Sequence, residues 1–170
     1  CTRTILLAED RLTPSREELF EAAQDCHAYQ EVTEGEDFIG WKGAFHQDFV
    51  VFLWLRLRLW AQAERGVDLG FIRQRILEGY YVLASVHPNI RFPDSRDEPE
   101  KKGGHFVLIY GFEIEDEACW FFIMNSAGFV SQFSQVAVRV PNYRLRQLFS
   151  GNVILVRSRK CDEYGTDQSL

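Results

Sequence analysis

Two β-rich runs separated by an acidic turn, within residues 105–125, most constrain what this chain can fold into. The first run reads HFVLIYGFEI, the second reads CWFFIMN, and EDEA lies between them. Aromatic and β-branched residues dominate both runs, as is typical of strands. A short polar turn between two such runs predicts a β-hairpin. The fold therefore has to contain an antiparallel sheet that accepts this hairpin.

Further strand-like runs lie on both sides of the hairpin. YYVLASV precedes it, and QVAVRV and NVILVRS follow it. Pro141 permits a short helix, YRLRQLF, between the last two runs, and NVILVRS is expected to close the sheet. Between YYVLASV and the hairpin, residues 88–104 are rich in proline, glycine and charge. They predict a long exposed loop.

The first half of the chain has the periodicity of helices instead. Apolar residues recur at helical spacing from Cys1 to about Glu9 and again in REELFEAAQDCHA. The second of these segments starts after Ser15, which is followed three residues later by Glu18. That spacing predicts a capping box at the start of a helix.

Two more helices are predicted in the middle of the chain. Residues 46–64 indicate a largely buried helix, with a strand as the alternative near VVFLWL. Residues 67–79 indicate another helix, which Asp68 can cap and Gly79 can end. Helices first and an antiparallel sheet second predict an α+β fold with the N-terminal helical half packed on the C-terminal sheet.

The length and composition restrict the classes of function. The 170 residues fit one domain, which we place at residues 1–159, followed by a polar tail at 160–170. The net charge of −6 argues against nucleic acid and against an anionic membrane surface as partners. No apolar stretch reaches the roughly 18 residues that a membrane-spanning helix requires. The sequence does not indicate an oligomeric state.

Nothing in the motifs suggests a metal or an organic cofactor. There is no glycine-rich phosphate loop, and no two cysteines have the C-x-x-C spacing of a zinc site. We therefore expect no cofactor. The four cysteines are expected to be mostly free thiols, which suits a cytoplasmic protein; they are Cys1, Cys26, Cys119 and Cys161.

Three residues provide the roles that thiol catalysis requires. Cys1 begins a predicted helix, whose N-terminus favours a thiolate. His105 begins one strand of the predicted hairpin, and Asn125 ends the other. The start of one strand and the end of the next lie side by side in an antiparallel pair. Cys1 is therefore a candidate nucleophile, His105 a candidate general base, and Asn125 a candidate partner that orients the imidazole.

The other three histidines offer alternatives. His27 lies on a predicted helix without a convincing acidic partner. His46 forms a possible second polar pair with Asp48, and His87 precedes a proline in a predicted turn beside the sheet.

Several motifs, in order along nearly the whole chain, carry a resemblance to a known family. They are CTRT at Cys1, IGWKGAFHQDFV around Trp41, EGYYVLASVHPNIR from Glu78, KGGHFVLIYGFE around His105 and FFIMNSAGF around Asn125. Together they resemble the C39-like branch of the papain-fold cysteine peptidases. The Gly-Gly-His strand and ASVHP are the most specific of these motifs.

The resemblance implies a papain-like fold and roles for individual residues. Cys1 matches the nucleophile, His105 the general base and acid, and Asn125 the third residue, where aspartate is common in the family. The family's oxyanion glutamine lies before the nucleophile, and the sequence begins at Cys1. Gln47 or the α-amine is the expected substitute donor. Further substrate-binding candidates from the matched motifs are Trp41, His46, Gln47, Ser85, His87 and Gly104.

These observations predict an enzyme that transfers acyl groups through a thioester on Cys1. The expected substrate is a peptide, an amide or an acyl thioester. One alternative is an acyltransferase or amide-forming enzyme acting on a biosynthetic intermediate, with residues 91–102 as a gate. Another is an inactive papain-fold binding module. We also expect that a leader is removed to expose Cys1, and that Cys1 takes part in its removal.

Overall fold

The computed structural model describes residues 1–43, 45–92, 94–95, 97–126 and 135–157. Within these ranges the helices are α1 (Thr2–Ala8), α2 (Arg16–Asp25), α3 (His46–Leu57), α4 (Leu69–Leu77) and α5 (Asn142–Leu148), with a 3₁₀ turn at Pro88–Arg91. The strands are β1 (Tyr29–Glu34), β2 (Asp37–Gly43), β3 (Ala61–Glu64), β4 (Tyr80–Val86), β5 (His105–Glu115), β6 (Ala118–Asn125), β7 (Gln135–Pro141) and β8 (Phe149–Arg157). The expected polar tail at 160–170 lies outside the described residues.

A six-stranded sheet in the order β3-β8-β4-β5-β6-β7 forms the centre of the fold. Every neighbouring pair in it is antiparallel. Strands β1 and β2 form a separate two-stranded hairpin. The chain is therefore a mixed α and β protein built on an antiparallel sheet, which confirms the α+β class.

Helices cover both faces of the sheet. On one face, α1, α2 and α3 pack through residues such as Ile5 and Phe52 against sheet residues such as Leu108. On the other face, α4, α5 and the 3₁₀ turn pack through residues such as Ile72 and Leu145. The predicted N-terminal helical half therefore packs on the sheet but is divided between its two faces, with α4 on the face opposite α1, α2 and α3.

The hairpin predicted within residues 105–125 is formed. Strands β5 and β6 pair up to Glu115 and Ala118, and Asp116 and Glu117 make the turn. Both turn residues have positive φ, 48° and 65°, as two-residue hairpin turns of type I′ require. The loop before it, at 88–104, begins with the 3₁₀ turn, and its described charged residues are largely exposed.

The predicted helix starts are also confirmed. Ser15 Oγ accepts from the Glu18 amide at 3.1 Å, and a Glu18 carboxylate oxygen accepts from the Ser15 amide at 2.7 Å. Asp68 accepts from the amide of Phe71 at 2.8 Å and so caps α4. These side chains satisfy amide groups that have no partner within the helix.

Two expectations about the order of elements are corrected, and one further element was not predicted. The helix predicted over 46–64 ends at Leu57, because Arg58 takes a left-handed conformation with φ of 52°. The residues that follow form β3, which pairs with β8. The hairpin of β1 and β2, which turns at Gly35 with φ of 63°, was not predicted. Finally, β8 does not close the sheet at an edge but lies between β3 and β4.

None of the helices in the described ranges has the length and apolar character that crossing a bilayer requires.

Candidate active site

His105 and Asn125 meet at one end of the sheet. His105 is the first residue of β5 and Asn125 is the last of β6. Asn125 pairs with Val107, so His105 is its diagonal neighbour on the same side of the sheet. His105 Nε2 and Asn125 Oδ1 are 2.6 Å apart. This confirms the predicted contact between the two side chains.

The amide of Asn125 belongs to a longer chain of hydrogen bonds. Its Nδ2 donates to Gln135 Oε1 at 3.1 Å, and Gln135 Nε2 donates to the backbone carbonyl of Arg91 at 3.1 Å. Gln135 is the partner of Asn125 across β6 and β7. Sequence reasoning missed Gln135, although an amide at the start of the strand after Asn125 was a visible signal for it.

The thiol of Cys1 lies beside the same pair of strand ends. Cys1 is the N-cap of α1, and its Sγ is 3.5 Å from the carbonyl oxygen of Met124 and 4.0 Å from that of Phe106. These two carbonyls belong to the neighbours of Asn125 and His105 in the chain. The predicted direction of the thiol is corrected here: its hydrogen-bond partners are these carbonyls rather than His105.

The alternation of strand side chains explains this arrangement. Phe106 and Met124 pack with the cluster beneath α1, and so does Cys1. His105 and Asn125 occupy the alternate positions, on the side of Val107 and the α4 and α5 cluster. The thiol and the imidazole therefore approach the ends of β5 and β6 from the two sides of the sheet.

Helix α1 is attached to the sheet at both of its ends. Thr4 Oγ1 donates to Met124 Sδ at 2.8 Å on β6. At the other end, Tyr81 on β4 donates its hydroxyl hydrogen to Glu9 at 2.9 Å. These contacts hold the helix, and with it Cys1, against the sheet that carries His105 and Asn125.

Gly103 and Gly104 bring the chain into His105 through positive φ angles of 95° and 91°. A Cβ at Gly103 would lie 3.1 Å from Ser85 Oγ and 3.1 Å from Ser150 Cβ. At Gly104 a Cβ would meet open space, so only the backbone conformation favours glycine there. The close approach at Gly103 fixes where β5 begins and therefore where His105 stands.

His105 is set up as a neutral base. Burial lowers the pKa of its imidazole below 6.5, the hydrogen bond with Asn125 opposes that effect, and the positive charge of Arg91 lowers it again. A lowered pKa keeps the ring unprotonated at neutral pH, which is the state that accepts a proton.

His46 is the rival that shares surroundings with Cys1. It is the first residue of α3, and its ring packs edge-on against the ring of Phe106 with centroids 4.9 Å apart. Its Nε2 is buried and has no hydrogen-bond partner within the described ranges. Burial lowers the pKa of His46, and the charge of Arg65 adds to that effect. A neutral imidazole therefore also lies on the thiol's side of the sheet.

The remaining histidines have other roles or surroundings. His87 caps the 3₁₀ turn, where its Nδ1 accepts from the amide of Asn89 at 3.2 Å. That bond gives His87 a structural role. His27 is exposed in the loop after α2, with φ of 57°.

The other predicted substrate-binding residues are spread over the molecule. Gln47 is exposed in the first turn of α3. Ser85 is buried inside β4, and its carbonyl accepts from Ser150 Oγ at 3.0 Å, so it supports the sheet. Trp41 lies on β2, and its side chain is outside the described residues. Cys1, Cys26 and Cys119 are free thiols. In the described ranges no three His, Cys, Asp or Glu residues cluster as metal ligands do.

The two lowered histidine pKa values predict how stability changes with pH. His105 and His46 both titrate below 6.5 in the fold, so the unfolded chain takes up protons first as the pH falls. Their contribution is complete above the unfolded pKa and is lost from about pH 6.5 downwards, by at most about 1.4 kcal/mol per pH unit for each group. We expect urea unfolding to give a decreasing free energy between about pH 7 and about pH 5. The decrease should be shallower in His105→Gln; an unchanged slope in that variant would contradict the lowered pKa of His105.

Comparison with known proteins adds no relative to this geometry. The chain has no significant match among protein-family models, among curated proteins or among solved structures. The function therefore has to be inferred from three features of the chain itself: the bonded pair of His105 and Asn125, the thiol of Cys1 beside it, and the chain of amides that ends on Arg91.

Proposed function

We propose that this protein is a thiol-dependent acyl-transfer enzyme of the cysteine-peptidase type, in which Cys1 carries the acyl group as a thioester. The observation that carries the proposal is the 2.6 Å contact between His105 Nε2 and Asn125 Oδ1. The neighbours of these two residues in the chain, Phe106 and Met124, contact the Cys1 thiol through their carbonyl oxygens. A helix bearing the thiol, packed on a sheet that bears the histidine and the asparagine, also favours a papain-like fold.

The proposed reaction has two steps. The imidazole of His105 takes the thiol proton while Cys1 Sγ attacks the carbonyl carbon of a peptide, amide or acyl thioester. The same proton then passes from His105 to the leaving amine or thiol. In the second step, water or an amine gives a proton to His105 and attacks the thioester, and the proton returns to Cys1. Asn125 holds the ring in place throughout.

The resting contacts of the thiol indicate general-base catalysis rather than a stable ion pair. A thiol can donate to the carbonyl oxygens of Met124 and Phe106, whereas a thiolate would be repelled by them. The low pKa of His105 likewise disfavours an imidazolium at rest. For the proposed reaction the thiol therefore has to leave these carbonyls and reach His105 around the ends of β5 and β6.

A second candidate function is a catalytically inactive papain-fold binding module. The observation that favours it is the same thiol contact, since Cys1 bonds to two carbonyls instead of to His105. In that case the thiol would be no more reactive than any other partly buried cysteine.

Acetylation by p-nitrophenyl acetate separates the two functions. The protein is mixed with the ester near neutral pH, and peptide mass spectrometry follows the acetyl group on each cysteine. We expect Cys1 to be acetylated first, then to release acetate to water, or faster to an added amine if the enzyme is an acyltransferase. Cys26 and Cys119 are partly buried free thiols in the same molecule and serve as internal references. Equal acetylation of all three would reject the proposed enzyme and favour the binding module.

A further inference from the structure

We propose that Gln135, anchored on the backbone carbonyl of Arg91, fixes the tautomer of His105, so that Nε2 carries the hydrogen and Nδ1 is free to accept the thiol proton. Gln135 is then a positioning residue that acts through Asn125. Its catalytic meaning rests on the proposed function, whereas the tautomer is a property of the folded chain alone.

The direction of the hydrogen bonds in this chain is set by the carbonyl of Arg91, which cannot exchange donor and acceptor roles. The carbonyl of Arg91 can only accept, so the part of the Gln135 amide that lies 3.1 Å from it has to be the NH₂ group. The oxygen of that amide is consequently turned towards Asn125. The oxygen and the nitrogen of a glutamine amide are assigned from their hydrogen bonds, and here the contact with a carbonyl makes that assignment.

The polarity then passes to the histidine. Gln135 Oε1 is an acceptor, so Asn125 has to present its Nδ2 to it, at 3.1 Å. Asn125 Oδ1 is thereby directed at His105 Nε2, 2.6 Å away. Because Oδ1 can only accept, Nε2 has to carry a hydrogen. In the neutral ring the other nitrogen, Nδ1, then has a free lone pair.

The starting point of this chain is held rigidly. Arg91 ends the 3₁₀ turn Pro88–Arg91, in which the amide of Ile90 donates to the carbonyl of His87 at 3.0 Å. Ile90 is fully buried in the core beneath the turn. Asn125 is 1% exposed, so water has little access to compete for its amide. Reversing the chain would place two carbonyl oxygens face to face in a buried site, which costs the desolvation of an unpaired polar group.

Gln135→Lys tests the direction of the chain. A lysine at this position donates but cannot accept, so it turns Oδ1 of Asn125 towards itself and leaves Nδ2 facing His105. The favoured tautomer then carries its hydrogen on Nδ1. Gln135→Met is the matched control, because it has the length of glutamine without either polar group.

Two-bond ¹H–¹⁵N spectra of the imidazole, recorded where His105 is neutral, report the tautomer directly. We expect the wild type to show Nε2–H alone, Gln135→Met to admit a fraction of Nδ1–H, and Gln135→Lys to show mainly Nδ1–H. Cys1 acetylation should fall by about 10²–10⁴-fold in Gln135→Lys, as when a general base is presented in the wrong form.

Each result decides between the inference and the proposed function. Nδ1–H in the wild type overturns the inference, as does a folded Gln135→Lys whose tautomer is unchanged. If the lysine variant does not fold, Gln135→Met decides, and a spectrum and acetylation rate identical to those of the wild type overturn the role of Gln135. If the tautomers behave as expected but wild-type Cys1 is not acetylated selectively, the hydrogen-bond chain stands and the proposed enzyme fails.

Discussion

Replacing His105 with alanine is expected to slow the acetylation of Cys1 by about 10²–10⁴-fold, which is the usual contribution of a general base. The lowered pKa of His105 keeps its imidazole neutral, and Asn125 holds the ring by a 2.6 Å contact at the ends of β5 and β6. Without it, the base that the proposed reaction uses to accept the thiol proton is missing. The rate should be measured with p-nitrophenyl acetate by mass spectrometry across pH. In the wild type the acidic limb should lie below pH 6.5, because the pKa of His105 is lowered.

Two further histidine variants make this result specific. His27→Asn changes an exposed residue whose φ of 57° asparagine tolerates, and we expect the wild-type rate. His46→Ala removes the rival imidazole, which packs on Phe106 on the same side of the sheet as Cys1. A large loss in His46→Ala together with a normal rate in His105→Ala would assign the base to His46 and contradict the proposed site.

The parts of the fold that could be predicted are those that short segments determine. The turn at Asp116 and Glu117 lies between two strongly β-forming runs, and the caps at Ser15 and Asp68 satisfy helix amides within three residues. No distant part of the chain is needed for any of them. For the same reason the contact between His105 and Asn125 was predictable, because a hairpin of known turn position places its strand ends together.

The parts that were missed depend on distant contacts or on unusual backbone conformations. Arg58 ends α3 in a left-handed conformation without the glycine that normally signals it, so the helix was extended into β3. Strand β3 reads AQAE and owes its state to pairing with β8, about ninety residues away. The central place of β8 in the sheet has the same origin.

In the site, the sequence could suggest which residues meet but not how their bonds are directed. The rotamer of Cys1 depends on the carbonyls of Met124 and Phe106, which belong to two different strands. The role of Gln135 depends on the 3₁₀ turn that brings the Arg91 carbonyl within 3.1 Å. Both features arise only after the sheet and the turn have packed.

Arg144 on α5 is a buried charged group that the fold compensates poorly. It is fully buried, and its Nη1 donates to the carbonyl of Asp97 at 2.7 Å and to Gln147 Oε1 at 3.3 Å. Its Nε and Nη2 form the edge that can bind both oxygens of a carboxylate, and they have no hydrogen-bond partner among the residues that the structure describes. No carboxylate in the described part of the chain forms an ion pair with it. A buried cation without a counter-charge costs several kcal/mol of desolvation.

We therefore expect Arg144→Met to raise the free energy of unfolding, by about 1–4 kcal/mol, because an apolar side chain of similar length removes that cost. The same change releases the carbonyl of Asp97, which is exposed and can turn to water, so the loop that leads into Gly103 should loosen. Urea unfolding measures the first effect. Hydrogen exchange of the loop amides measures the second.

Two variants separate the charge of Arg144 from its contact with the loop. Arg144→Lys keeps the buried charge, loses the planar guanidinium and should lower the free energy of unfolding. Lys102→Met removes the other anchor of the loop on α5, the 3.2 Å bond from Lys102 Nζ to the carbonyl of Arg146, without touching the core. It should loosen the loop and leave stability nearly unchanged. If Arg144→Met instead destabilises the protein by several kcal/mol, the guanidinium stabilises the fold through its bonds to Asp97 and Gln147 by more than its desolvation costs.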